Sequence, residues 1–462
     1  MDLHKEVLKY KDELISSLQE SIRIKSVEEK ALPGMPFGEG PAKALEHFLS
    51  VGEKLGLKVE NFDNYAGHID FGTDEQEEMV GILGHVDVVP EGSGWDHDPY
   101  GAEIVNNKMY GRGTLDDKGP MMICLYAMKA LKDMGIPLKR KVRMIIGANE
   151  ETGWGCMNHY FGTLKMPHPT LSFTPDSGCP VTFAEKGIMR ALFKVKTDAD
   201  ITVKAGNVFN AVPEITTISL PLSYKEIIEK ELPIFNEGKE NTVITCEEVG
   251  DKVVLTSKGV AAHAAHPYLG YNSLSALMIF LGKLNITENG LKEMVKFFNE
   301  KVQMEFNGKL LGLNLVDEPS GEITINFGKC YVENGELIVS MDMRYPVTFT
   351  AEPIKEKLNS VLTEYGIAFE VLKEEKPLYV PKDNFLVKTL MEVYQDMTGD
   401  MESQPISTGG GTYAKAVSNC VAFGALLKGT PDTMHQKNEC MDLASLDVLM
   451  PLFIETIYRL AK

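Results

Sequence analysis

The chain has 462 residues, too many for one ordinary core, and two or three domains are expected at ~150 residues each. With 44% apolar and 24% charged residues it has the make-up of a folded globular protein and not of a disordered chain. Its 47 Lys and Arg against 66 Asp and Glu leave a net charge of −19, which disfavours nucleic acid or an anionic membrane as partner and would attract cations. Cys124, Cys156, Cys179, Cys246, Cys330, Cys420 and Cys440 are odd in number, scattered and without a CxxC pair. Neither a disulfide framework nor a zinc ribbon is indicated, and a reducing cytoplasm is the expected setting. The first twenty residues lack the apolar core of a signal peptide, and no run of 18 apolar residues offers a membrane span.

In chain order, Leu3, Val7, Tyr10, Leu14 and Leu18 recur at helical steps and predict one amphipathic N-terminal helix. A Gly- and Pro-rich loop, 31–41, precedes a second helix ending near Gly56. MVGILGHVDVVP, from 79, is a continuous apolar run of the kind that forms buried strands. PMMICLYAMKALKDMG is a helix with Pro120 at its start and Gly135 at its end. KVRMIIGANEE and PTLSFTPDSG are further strands, and this alternation predicts a layered α/β domain. Near 188 the pattern changes to strands with polar alternation, separated by helical stretches such as NSLSALMIFLGKL and AEPIKEKLNSVLTEYG. From about 380 the first style returns, with a helix in NFLVKTLMEVYQDMTG and a buried strand in NCVAFGALL. The expected organisation is an α/β domain, 1–187 and 381–462, built on a central mixed, mainly parallel sheet flanked by helices. An α+β domain, 188–380, is inserted into it.

Acids and histidines gather where these strands end. His85 and Asp87 close the first apolar run, and Asp116 and Asp117 precede the central helix. Glu150 and Glu151 end the next strand, and Asp176 the one after. In open α/β sheets, sites form at the carboxyl ends of strands. Any one cluster alone would pass for a solvated loop or a helix cap; four together point to a paired-metal centre. Such a centre needs a bridging carboxylate, further carboxylate or imidazole ligands, and one acid left free as general base. The adjacent pair Glu150 and Glu151 offers one of each. Asp87, two residues from His85, can hold the second ring nitrogen of that histidine. His435, in GTPDTMHQKNE after the last apolar strand, is the candidate sixth group.

The set GHVDVVP, GRGTLDDKG, ANEETG, TPDSG and GTPDTMHQKNE resembles the dizinc exopeptidase and deacylase family, in that family's order and across nearly the whole chain. The long insert, with GNVFNAVPE and GGGTYAK, looks closest to the Xaa-His dipeptidase branch, the carnosinase-like dipeptidases. The resemblance implies that His85 and Asp176 hold one metal, that Glu151 and His435 hold the other, and that Asp116 bridges them, with a cis peptide after it. Glu150 would be the general base and Asp87 the orienting partner of His85. In the insert, read as a lid, SKGVAAHAAHPYLGYNS puts His263 at the oxyanion position rather than His266. Asn207 would contact substrate, and Arg344 would grip its carboxylate with a bidentate fork. Gly409, Gly410 and Gly411 would present backbone N–H groups to that carboxylate, or form only a flexible loop.

The implied activity is hydrolysis of dipeptides by a water held between two divalent ions, Zn²⁺ first, with Mn²⁺ or Co²⁺ as alternatives for an oxygen-rich site. An N-acyl amino acid deacylase or desuccinylase is the alternative reading within the family, and a non-catalytic peptide-binding relative the alternative outside catalysis. A two-metal phosphoesterase is disfavoured by the −19 charge and the lack of Arg clusters. The expected partner is a small peptide. The length of the insert, ~190 residues, resembles the monomeric branch, in which the lid histidine acts within its own chain.

Overall fold

The computed structural model describes residues 2–462. The chain divides into two compact units: 1–183, 380–406 and 412–462 form the first, and 184–379 with 407–411 the second. The short stretch 407–411 therefore belongs with the inserted region and not with the segments on either side of it.

The first unit is built on a mixed sheet. Its strands run in the order Lys58–Phe62, Ala66–Phe71, Lys141–Gly147, Met79–His85, Leu171–Thr174, Cys420–Ala422 and Thr182–Glu185. The inner strands Lys141–Gly147, Met79–His85, Leu171–Thr174 and Cys420–Ala422 are parallel, and the outer pairings are antiparallel. Met79–His85 and Lys141–Gly147 are buried along their whole length, as expected of strands covered on both faces. Ile82 sits opposite Met144 on one side and Phe173 on the other, and His85 lies level with Gly147. This register brings the residues that follow His85, Gly147 and Thr174 to one edge of the sheet.

The helix Lys118–Asp133 is buried nearly all round and packs on Leu446–Ala461, and Glu39–Lys54 packs on the two outer strands. The predicted N-terminal helix is two, Leu3–Leu8 and Lys11–Ile22, interrupted at Lys9 and Tyr10. The helical period runs through the break, so side-chain spacing alone did not reveal it. The predicted strand near Cys420 keeps only Cys420–Ala422 in the ladder.

The second unit carries an eight-stranded, fully antiparallel sheet. Its order is Ile244–Val249, Lys252–Lys258, Ile215–Pro221, Thr202–Ala205, Thr324–Glu333, Glu336–Tyr345, Gly187–Lys196, Ala368–Glu375. Along Glu336–Tyr345 the residues Leu337, Val339, Met341, Met343 and Tyr345 enter a core with Phe193, Phe297 and Phe327. The alternation of a strand puts Ser340, Asp342 and Arg344 on the opposite face. Arg190, paired in register with Asp342, shares that face.

Candidate active site

His85 ends its strand fully buried. Its Nδ1 lies 3.0 Å from the main-chain oxygen of Asp87, so that nitrogen carries a proton and donates it. Its Nε2 is 3.0 Å from Asp116 Oδ1 and 3.7 Å from Asp176 Oδ2. The other oxygen of Asp116, Oδ2, lies 2.8 Å from His435 Nε2, which is in turn 3.2 Å from Glu151 Oε1. Asp116 therefore stands between two histidines, one oxygen toward each. The donor atoms form two groups, His85–Asp116–Asp176 and Asp116–Glu151–His435, with all ligand atoms in a group within 4.8 Å of one another.

The fit of this set to metal ions can be tested on its hydrogen bonding. Among the described residues, His85 Nε2 and Asp116 Oδ1 are buried and without a well-formed hydrogen bond, although they face each other. With Nδ1 committed to the Asp87 carbonyl, Nε2 is the ring nitrogen left to turn a lone pair, as a metal ligand does, into the space it shares with the carboxylate oxygens. Converging lone pairs from imidazole and carboxylates are what a divalent cation takes as ligands. The residues fit two such ions, sharing Asp116.

The electrostatics of the bare site reflect that convergence. Burial would raise the Asp116 carboxyl, but the facing rings of His435 and His85 hold it well below the usual range. His435 is pushed up to about 11 by its contacts with Asp116 and Glu151. Burial lifts Glu151 to about 7, and the charge of Asp116 adds to the rise. Burial also pushes the Glu150 carboxyl well above the usual range, opposed by His85 and reinforced by Asp176, Glu151 and Asp87.

Several groups that the sequence did not single out hold the ligands in place. Glu439 Oε1 accepts the backbone N–H groups of Gly113, Leu115 and Asp116 at 3.1, 2.8 and 3.3 Å. Its Oε2 takes Arg112 at 2.8 Å in a buried ion pair. The buried ammonium of Lys118 donates to the carbonyls of Ser21 and Ile24, and burial lowers it to about 7. The Asp116–Asp117 peptide is cis. Asp117 turns inward to accept the His85 amide at 3.2 Å, leaving Asp116 to face the histidines. Gly84 makes room for this, since a Cβ there would stand 2.2 Å from Asp117 Oδ2. Glu439 had a visible signal, an acid four residues after His435 in the same motif.

Asp87 does more than was expected of it, and by a different route. It holds His85 through its main-chain oxygen, with its carboxylate 3.5 Å away. That carboxylate instead accepts the amides of Glu150 at 2.9 Å and Glu151 at 3.0 Å. The strand ends at His85, so the alternation that would put a residue two further on to the same side stops there. Glu150 Oε1 accepts the indole N–H of Trp154 at 3.1 Å.

Residues 81–459 match peptidase family M20/M25/M40. The chain belongs to that family. This M20 chain is 37% identical, over 100% of both chains, to the Bacillus subtilis (strain 168) protein named "Putative dipeptidase YtjP". Its fold is similar to that of human carnosine dipeptidase 1, with a TM-score of 0.60 at 15% identity, covering 99% of this chain and 97% of that one. It is similar also to aminoacylhistidine dipeptidase from Vibrio alginolyticus, with a TM-score of 0.57 at 14% identity, covering 97% and 96%. The M20 chain is thus a hydrolase of a peptidase family. Among its described residues no helix is long and apolar enough to cross a membrane.

The remaining predicted site residues of this M20 chain lie in its second unit. Asn207 is exposed between the strands Thr202–Ala205 and Ile215–Pro221. His263 is exposed, and its Nδ1 accepts the amide of Ala265 at 3.2 Å. That fixes the neutral tautomer with the proton on Nε2. Partial desolvation of the ring lowers its pKa, and the nearby Arg344 lowers it further. Arg344 is buried, and its fork is engaged within the protein: Nε and one terminal nitrogen clasp Asp342, and the other donates to the Gly409 carbonyl at 2.7 Å. Asp342 also accepts from Arg190 at 3.0 Å. Thr408 Oγ1 accepts the Gly410 amide at 3.0 Å.

Proposed function

We propose that the protein is a metal-dependent dipeptidase. The observation that carries the reading is the pair of ligand groups joined at Asp116, with the unliganded acid Glu150 beside them. His85 and Asp176 would hold one divalent ion, Glu151 and His435 the other, and Asp116 both. Zn²⁺ is the first choice, with Mn²⁺ or Co²⁺ also suited to so many oxygen donors. Bound there, such ions would polarise the scissile carbonyl and acidify a water.

The chain's own residues supply the proton traffic. Glu150 takes a proton from the attacking water and passes it to the leaving amine as the C–N bond breaks. One water is consumed, and two amino acids are released. His263, neutral and protonated on Nε2, has the donor that a developing oxyanion requires. Arg344, tied to the Gly409 carbonyl, orders the glycine run whose N–H groups would face the substrate carboxylate. Asn207 is read as a further substrate contact. A small peptide is the expected partner.

The test is amino-acid release from dipeptides, tripeptides, N-acetyl and N-succinyl amino acids. The protein is stripped with a chelator and restored with Zn²⁺, Mn²⁺ or Co²⁺. Metal-dependent cleavage of dipeptides supports the reading. Cleavage of the acylated amino acids with dipeptides untouched would make the protein a deacylase with the same site. Inactivity on every substrate with every metal would overturn the catalytic reading.

A further inference from the structure

Trp154 sits in an unusual place. Its φ is 60°, in the left-handed region, where a bulky side chain is a genuine outlier. Glycines flank it on both sides, so the chain has residues at hand that adopt this conformation freely, yet a tryptophan occupies it. The surrounding turn over-determines the conformation. The Asn149 carbonyl accepts the Trp154 amide at 2.8 Å, and the Asn149 side chain accepts the Gly155 amide at 3.0 Å. The Asn149 amide group in turn donates to Thr152 Oγ1 at 2.6 Å.

The indole has two engagements. Its N–H donates to Glu150 Oε1 at 3.1 Å. Its ring meets Tyr413 edge to face, with centroids 5.7 Å apart and planes at 72°. Tyr413 is fully buried, and its hydroxyl is 2.7 Å from Cys156 Sγ. It also stands edge-on to His85, with centroids 6.0 Å apart. Gly147 admits that ring, because a Cβ there would lie 2.2 Å from the Tyr413 hydroxyl. The indole is thus clamped between a rigid aromatic floor and the carboxylate of Glu150.

We infer that Trp154 is a positioning residue for Glu150: by holding Oε1 it fixes the carboxylate rotamer and leaves Oε2 to take and return the proton. The inference rests on the reading of Glu150 as the general base. Glutamate has three side-chain torsions, and a base free to swing spends little time within reach of its water. A phenylalanine would fill the same space against Tyr413, but only an N–H donor restrains the carboxylate. An outlier backbone kept by its surroundings at the edge of a site is the pattern of a stored functional constraint.

Trp154→Phe keeps the aromatic contact and removes the donor. On a dipeptide that the wild type cleaves, kcat is expected to fall roughly tenfold or more, the worth of a hydrogen bond to a charged group. KM, Zn²⁺ affinity of the stripped protein and melting temperature stay near wild type. Wild-type kcat in this variant would overturn the inference. So would a fall in kcat matched by an equal fall in Zn²⁺ affinity, which would make Trp154 part of the metal scaffold. A second measurement needs no turnover. The chain has two tryptophans, so Trp95→Phe leaves Trp154 as the sole indole. Its emission is expected to shift when Glu150→Ala is added, and an unchanged spectrum would overturn the contact itself. A wild type inactive on every substrate would sink the dipeptidase reading and leave this fluorescence result to decide the contact.

Discussion

The carboxylate of Asp87 and the backbone of Glu150 are joined directly: Asp87 Oδ1 accepts the Glu150 amide at 2.9 Å, while Oδ2 accepts that of Glu151 at 3.0 Å. One side chain thus sets the turn that presents both glutamates, and its main-chain oxygen sets the ring of His85. Asp87→Ala is expected to lower metal affinity and kcat/KM together, by roughly ten- to a hundredfold, as loss of an outer-sphere partner does. Isothermal titration with Zn²⁺ and steady-state kinetics check this. Unchanged values in both would remove Asp87 from the support of the site.

Glu150 itself separates binding from chemistry. Glu150→Gln preserves shape and can still accept from Trp154, but cannot take a proton. Loss of kcat by about 10²–10⁴-fold is expected, with metal content near wild type by elemental analysis. A variant retaining most of its rate would require another base.

Glu439 tests the frame behind the ligands. It is buried, paired with Arg112 and bound to three loop amides. Removing one partner of a buried ion pair strands the other charge. Glu439→Ala is expected to lose about 3–5 kcal/mol of unfolding free energy in urea. Arg112→Met added to it should recover part of the loss, and a double variant as unstable as the single one would argue against the pairing.

His68 gives a pH dependence. It is buried on the strand Ala66–Phe71, accompanied by Tyr160 at 2.8 Å, and its pKa is lowered to about 4 by burial and by Arg143. Above the unfolded value near 6.5 the ring is neutral in both states and contributes no pH dependence. Between 6.5 and 4 the unfolded chain binds the proton and the folded one does not, so stability falls as pH falls. The loss reaches roughly 3 kcal/mol and levels off below pH 4. His68→Gln should flatten that part of the profile relative to wild type in urea titrations at stepped pH.

Metal removal should be visible without substrate. A ligand that binds only the folded state adds about 2.7 kcal/mol at one hundred times its dissociation constant. The chelated protein is therefore expected to melt several degrees lower and to recover on adding Zn²⁺, by calorimetry. Asp116→Asn, which weakens both ligand groups at once, should melt at the same temperature with and without the ion.

The sequence made the parallel strands legible because Met79–His85 and Lys141–Gly147 are apolar on both faces, a pattern that little else produces. It made His85, Glu150, Glu151 and Asp176 legible because each follows an apolar run, and Asp116 because it stands just before a buried helix. It did not show the strand Thr202–Ala205, which is too short to set a period, or the helix Lys225–Asn236, whose internal Pro233 argues against a helix. Nor did it show the supports of the site. Glu439 reaches loop amides more than three hundred residues away in the chain, and Lys118 caps carbonyls nearly a hundred residues before it. Arg344 is read as a ligand-binding fork on the family resemblance alone. Its register opposite the Arg190 strand, which brings Asp342 between the two cations, appears only when strands are paired.

The assignment of 407–411 to the second unit bears on how such a protein can be rebuilt. An inserted region that used only 184–379 could be excised or exchanged between homologues by a single cut-and-splice. Here excision would leave the Gly409 carbonyl behind, on a segment encoded far downstream, and strip Arg344 of that acceptor. An isolated second unit must therefore carry both pieces of chain, since 184–379 alone leaves a buried guanidinium nitrogen without its acceptor.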